Sequence, residues 1–209
     1  MRHEPGTFSR AEHAVAAAYL MLAYPIEPKN ATQLICEALR ERFDAAFEPK
    51  SFSGLSPHEW HAQAVYIVKV LERTLGDSIG FHVLRGQYGT GAEAAASTRR
   101  VSEWLTPEAE QGSIEREVTD MLASHVLRGQ PRLRRLSDTF DLPYSALQRP
   151  ASAYRVLVGG VKRAALVRLD TRMRDAGLVT DFQSQELPTA LDMVNQARQN
   201  NPRLVASLS

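Results

Sequence analysis

Residues 131–149 read Pro131-Arg132-Leu133-Arg134-Arg135-Leu136-Ser137-Asp138-Thr139-Phe140-Asp141-Leu142-Pro143-Tyr144-Ser145-Ala146-Leu147-Gln148-Arg149. Leu133, Leu136 and Phe140 recur at helical spacing, and Leu142 and Leu147 resume the pattern after a break. Two short helices joined by a tight turn need a small residue where they cross, and Ser137 occupies that place. The turn usually holds Gly; Asp141 tolerates the left-handed backbone such a turn requires. Pro143 suits the start of the second helix, where its missing N–H is no loss. The pattern predicts a helix-turn-helix. Tyr144, Ser145, Gln148 and Arg149 would project from the N-terminal half of the second helix, the part that enters a major groove. Gln pairs with adenine and Arg with guanine in bidentate fashion. Arg132, Arg134 and Arg135 are placed to meet phosphates. Ser152 and Arg155, farther along, complete the predicted DNA-facing set. A plain helical hairpin in an all-α bundle carries the same apolar pattern.

The charge around this stretch is uneven. From His125 to Ala176 there are eleven Lys and Arg against four acids, a local +7 in a chain of net charge +1, so the remainder carries −6. A basic segment on an acidic body is a common layout for a module that binds a polyanion. A solvated Arg-rich helix face has the same composition.

Upstream lies an internal repeat with an offset of 43 residues. His82-Val83-Leu84-Arg85-Gly86-Gln87 recurs as His125-Val126-Leu127-Arg128-Gly129-Gln130, and Asp77 aligns with Asp120. The repeat predicts two copies of a helix that ends at a Gly cap and turns. Only the second copy runs into the basic segment.

The rest also reads as helices, with no alternating run long enough for a strand. Ser9-Arg10-Ala11-Glu12 has capping-box form and predicts a helix to about Leu22. Asn30 is a plausible cap for a second helix to about Phe47, with Leu34, Ile35, Leu39 and Phe43 inward, before a loop from Pro49 to Leu55. Ser56-Pro57-His58-Glu59 starts a third, with Trp60, Ala64, Ile67, Val68, Leu71 and Leu75 at helical spacing. A short helix from about Ser78 should end at Gly86. Another, about Ala92 to Leu105, has Val101, Trp104 and Leu105 as anchors. Ile114, Val118, Met121, Leu122 and Val126 mark one ending at Gly129. Pro150 falls where the recognition helix should continue. It predicts either a two-turn helix there or a fresh long helix to about Ala176, with Tyr154, Leu157, Val161, Leu169 and Met173 inward. Gly159, Gly160, Ala164 and Ala165 on it suit close packing, within the chain or against a second copy in a homodimer. The expected fold is an all-α multi-helix bundle with a duplicated helical unit, the second copy carrying the helix-turn-helix. The expected divisions are a helical segment over 1–55, a first repeat unit over 56–112, a DNA-binding unit over 113–178 and a C-terminal helix and tail over 179–209.

Other classes find little support. The chain has 209 residues, 44% hydrophobic and 23% charged, enough for a core and too polar for a membrane span. Cys36 is the lone cysteine, which excludes an internal disulfide framework and a cysteine zinc cage. Glu4 and Glu12 beside the apolar stretch Ala14 to Tyr24 do not suit a secretory signal, so the expected location is the cytoplasm. His58 and His61 share a helix face, but nothing else is spaced to complete a metal site. Gln87-Tyr88-Gly89-Thr90-Gly91 lacks the Lys and Ser/Thr of a phosphate-binding loop. No nucleophile with its base, paired carboxylates or cofactor loop can be named, so no enzymatic role and no cofactor is expected.

The run Leu133 to Leu157, followed by Arg172-Met173-Arg174-Asp175-Ala176-Gly177-Leu178-Val179, resembles the fourth region of sigma factors. More closely, it is similar to phage late-gene regulators of the antitermination Q group that carry such a region. Ser53-Gly54-Leu55 through Trp60-His61-Ala62-Gln63-Ala64 also looks like the start of the central helices of related prophage proteins. The resemblance spans about residues 53–179 and departs from the pattern at Pro150. It implies double-stranded DNA at a late promoter, contact with host RNA polymerase and read-through of terminators. The zinc-binding cysteines of some members are missing. An ordinary helix-turn-helix activator or repressor, or a polymerase-binding protein without DNA readout, are the competing readings.

Overall fold

The computed structural model describes residues 8–23, 57–111 and 115–179. The helix expected from Asn30 to Phe47, the loop from Pro49 to Leu55, and Cys36, Ser56 and Ile114 lie outside the described residues. The protein is an all-α multi-helix bundle. Its helices are α1 (Ala11–Ala23), α2 (Pro57–Leu75), α3 (Ile79–Tyr88), α4 (Gly91–Gln111), α5 (Arg116–Arg128), α6 (Leu133–Phe140) and α7 (Tyr144–Asp175). Among the described residues the β-type contact is one isolated parallel bridge between Phe8 and Val179. No helix among them is long and apolar enough to cross a membrane.

Two clusters of buried side chains form the interior. The first gathers Val15 and Ala18 of α1, Trp60, Ile67 and Leu71 of α2, Phe81 and Leu84 of α3, and Leu169 and Met173 of α7. The second gathers Val83 of α3, Val101 and Leu105 of α4, Leu122 of α5, Leu136 of α6, and Leu147, Ala151 and Tyr154 of α7. α7 runs through both. Its 32 residues make a rod of roughly 48 Å at about 1.5 Å per residue. Its first half holds α6 and its second half holds α1 and α2.

Pro150 neither stops α7 nor begins a new helix; it sits inside. An interior proline costs about 3 kcal/mol, and burying a large apolar side chain returns roughly 1.5–3 kcal/mol. Leu147 and Tyr154 straddle Pro150 and bury in one cluster, which keeps the helix continuous. The carbonyl deprived of its donor belongs to Ala146, an exposed residue that water can reach.

Several local expectations give way to tertiary contacts. Ser9 does not close a capping box: its Oγ lies 3.0 Å from Nδ1 of His13. The Ala11 N–H instead donates to Oδ1 of Asp170 on α7, at 3.1 Å. Glu12 accepts from the Tyr88 hydroxyl and pairs with Lys162 at 2.6 Å. Gly86 does not end α3, which runs on to Tyr88. A Cβ there would meet Leu127 Cδ1 at 3.0 Å, so the two copies of the repeat lie against each other. Arg128 of the second copy donates to the Gly86 carbonyl at 2.8 Å. Trp104, expected as an anchor, is 36% exposed, and Met121, expected on the apolar face of the helix that ends at Gly129, is 43% exposed.

Candidate nucleic-acid interface

α5 closes on Gly129, whose φ of 73° needs no Cβ. The chain then turns into α6 under two restraints. The Ser124 hydroxyl donates to the Gln130 carbonyl at 2.9 Å, and Nδ1–H of His125 donates to the Pro131 carbonyl at 2.9 Å.

Three residues separate α6 from α7. Asp141 adopts φ 50° and ψ 40°, the left-handed conformation that its place in the sequence requires. Ser137 does more than stay small. Its carbonyl accepts from the Leu142 N–H at 3.1 Å, and its hydroxyl donates to the Leu142 carbonyl at 2.6 Å. Leu133, Leu136 and Leu147 are buried, with Phe140 and Leu142 packed partly buried against them. The two helices are thus fixed by apolar contact below and a serine clamp at the turn.

Arg132, Arg134, Arg135, Tyr144, Ser145, Gln148, Arg149, Ser152 and Arg155 are all exposed. Tyr144, Gln148, Ser152 and Arg155 follow at intervals of four, four and three, so they share one face of α7, with Ser145 and Arg149 beside it. Two are engaged within the chain. The Ser152 hydroxyl donates to the Gln148 carbonyl at 2.9 Å. Arg155 donates through Nη2 to Nε2 of His125 at 2.7 Å.

The local +7 divides into committed and uncommitted cations. Lys162 pairs with Glu12, Arg174 with Asp170, Arg168 donates to the Thr74 carbonyl, Arg128 to Gly86 and Arg155 to His125. Among the described residues, the guanidiniums of Arg132, Arg134, Arg135, Arg149, Arg163 and Arg172 have no ion-pair or hydrogen-bond partner. The first four lie on or beside α6 and the first two turns of α7. A guanidinium in water keeps its donors available, and a rigid helix pair holds these four near one another.

Of Gly159, Gly160, Ala164 and Ala165, only Ala165 is buried, where a Cβ on Gly80 would meet its Cβ at 2.8 Å. Nothing lies within 4 Å of a Cβ built on Gly159 or Gly160, and Ala164 is exposed. The expectation of internal packing holds for Ala165 and fails for Gly160 and Ala164, which are exposed.

The fold also assembles a serine, a histidine and an aspartate that sequence spacing did not reveal. Ser97 Oγ lies 3.2 Å from Nδ1 of His82, whose Nε2 lies 2.8 Å from Oδ1 of Asp77. Ser97 is 0% exposed, and its Oγ accepts from Nε of Arg85 at 2.7 Å. A hydroxyl sealed in this way cannot reach a substrate carbonyl, so the trio holds α3 to α4. His58 is exposed and His61 half-buried on the first turns of α2.

Comparison with protein-family models and with curated proteins returns no match.

Proposed function

We propose that the chain is a DNA-binding transcription regulator of phage or prophage origin, a late-gene antitermination factor acting with host RNA polymerase. In this reading the first turns of α7 enter the major groove of double-stranded DNA. Tyr144, Ser145, Gln148 and Arg149 meet base edges, and Arg132, Arg134 and Arg135 meet phosphates. The observation that carries it is the set of four partnerless guanidiniums on one rigid helix pair. On the same basic segment Arg128, Arg155, Lys162, Arg168 and Arg174 are engaged within the chain, and Arg163 and Arg172, also unpaired among the described residues, lie far along α7 from this cluster of four. The polymerase and terminator parts come from the resemblance to the Q-group regulators.

Duplex binding measured by fluorescence anisotropy across a salt series tests the DNA contact. Contact with about five phosphates gives a log–log slope near −4 to −5. A flat response removes the reading. Transcription through a terminator in vitro, with and without the protein, then separates antitermination from ordinary activation or repression.

A second reading keeps the surface and changes the partner. Tyr144, 49% exposed beside Arg149, has the composition of a protein-binding hot spot. Capture of purified RNA polymerase without any binding of naked DNA would select it.

A further inference from the structure

At the opposite end of α7, a cleft of about 700 Å³ opens between that helix and the last turns of α2. Arg73, Arg168, Arg172 and Asp175 line it, with Val70 and Ala176 as its apolar part. Arg168, Arg172 and Asp175 are spaced by four and three along α7 and so face the same way. Arg168 is not a wandering side chain: its Nη2 donates to the Thr74 carbonyl at 3.2 Å. That bond fixes one guanidinium in the cleft and leaves its other donors unspent. Among the described residues Arg73 and Arg172 have no ion-pair or hydrogen-bond partner.

We infer that this cleft is a phosphate-binding site, separate from the proposed DNA surface. Arg172 lies 23 residues beyond Arg149 on one helix, roughly 35 Å away at about 1.5 Å per residue. Three guanidiniums lining one concavity suit a phosphate, whose oxygens can accept two parallel N–H bonds from a planar fork. The volume falls within the range of small-ligand sites, roughly 300–1,000 Å³. Arg73 and Arg172 also sit in the last turns of their helices, where cations offset the terminal carbonyls. Arg168 adds to that role by bonding the Thr74 carbonyl in the last turn of α2, and it still lines the cleft with the donors that bond leaves over. Asp175 opposes a bare anion and favours a ligand with hydroxyl or amino groups beside its phosphate. The phosphate belongs either to a free nucleotide or to the backbone of a nucleic acid that extends along α7.

Titration calorimetry of the full chain with inorganic pyrophosphate and with ADP, at low salt, tests the free-ligand source. Arg172→Gln and Arg73→Gln, both at exposed positions, should each weaken binding about tenfold or more. Asp175→Asn should strengthen pyrophosphate binding by removing a like charge. Arg134→Ala should leave it unchanged, which separates this site from the proposed DNA surface. If neither probe binds, the nucleic-acid source predicts that each Gln variant lowers the duplex salt slope by about 0.9. Unchanged pyrophosphate binding and an unchanged salt slope in both variants would overturn the inference.

Discussion

Arg155 donates to Nε2 of His125 at 2.7 Å, and the other ring nitrogen donates to the Pro131 carbonyl at 2.9 Å. A guanidinium only donates and a carbonyl only accepts, so this arrangement uses the His125 tautomer that donates from Nδ1 and accepts at Nε2. The same residue in the first repeat copy plays the reverse part. His82 Nε2 faces the Asp77 carboxylate, to which it donates. Asp120, the aligned counterpart of Asp77, accepts instead from the Ser102 hydroxyl. One sequence element thus braces α3 against its own loop in one copy. In the other it ties the approach to α6 onto α7.

His125→Leu removes both bonds and leaves a carbonyl and a guanidinium without their partner. The expected loss is about 1–3 kcal/mol of stability, read from urea unfolding. His125→Gln, whose amide can donate and accept, should recover part of it. If Leu and Gln are equally stable to wild type, the link contributes nothing.

Acid should weaken the fold in two stages. Burial, aided by the charge of Arg10, holds His13 below its ordinary 6.5. A base lowered in the folded state stays neutral while the unfolded chain takes up a proton, so stability falls as pH drops through about 6.5. At Glu12 burial alone would raise the carboxyl, but hydrogen bonds from Lys162 and Tyr88 and the charge of Lys162 hold it below its ordinary 4.5. Its contribution is complete above that value and is lost as pH falls through the lower folded one. Denaturant titrations from pH 8 to pH 3, roughly spanning both ordinary values, should show the two limbs. Glu12→Gln should flatten the lower limb and leave the upper one; an unaltered lower limb contradicts the assignment.

Much of the architecture was legible because it is local. The apolar spacing of Trp60, Ala64, Ile67 and Leu71 gave α2 its buried face, and Asp141 and Pro143 marked the turn before α7. What was not legible came from partners distant in the chain. Asp170 caps α1 from 159 residues away, and Leu127 packs on Gly86 from the other repeat copy. Pro150 misled for the same reason, since only tertiary burial of Leu147 and Tyr154 carries the helix through it. At the candidate interface, residue types showed which side chains were basic. Only the coordinates distinguish Arg155, bound to His125, from Arg149, which has no partner among the described residues.

Two glycines on packed helices should respond oppositely to alanine. A Cβ on Gly80 would lie 2.8 Å from the Cβ of Ala165, which joins α3 to α7. Neither backbone can yield cheaply, so Gly80→Ala should cost about 1–3 kcal/mol. Gly160 is exposed in mid-helix with nothing within 4 Å of a Cβ. Gly160→Ala should gain up to about 1 kcal/mol from helix propensity. Thermal denaturation of the two variants checks the pair, and a loss at Gly160 would show that its face is covered.

The turn before α7 should be sensitive to shape more than to charge. At φ 50° a β-branched side chain crowds its own backbone. Asp141→Val should cost about 1–2 kcal/mol, whereas Asp141→Gly should stay within about 1 kcal/mol of the parent. Equal stability of the two would mean the turn relaxes to another conformation.

Arg149 and Arg134 should separate sequence reading from mere attraction. Arg149 follows Gln148 on the exposed side of the second turn of α7, where a bidentate contact to guanine is geometrically open. Arg134 lies on α6, the helix that crosses the backbone in this docking geometry. Arg149→Ala should weaken a preferred duplex by about 1–3 kcal/mol and relax preference at one base position. Arg134→Ala should weaken all duplexes alike and lower the salt slope by about 1. Selection from a randomised duplex pool, followed by anisotropy on preferred and scrambled sites, distinguishes them. If Arg149→Ala weakens every duplex equally, that side chain contacts phosphate and base reading falls to Tyr144, Ser145 and Gln148.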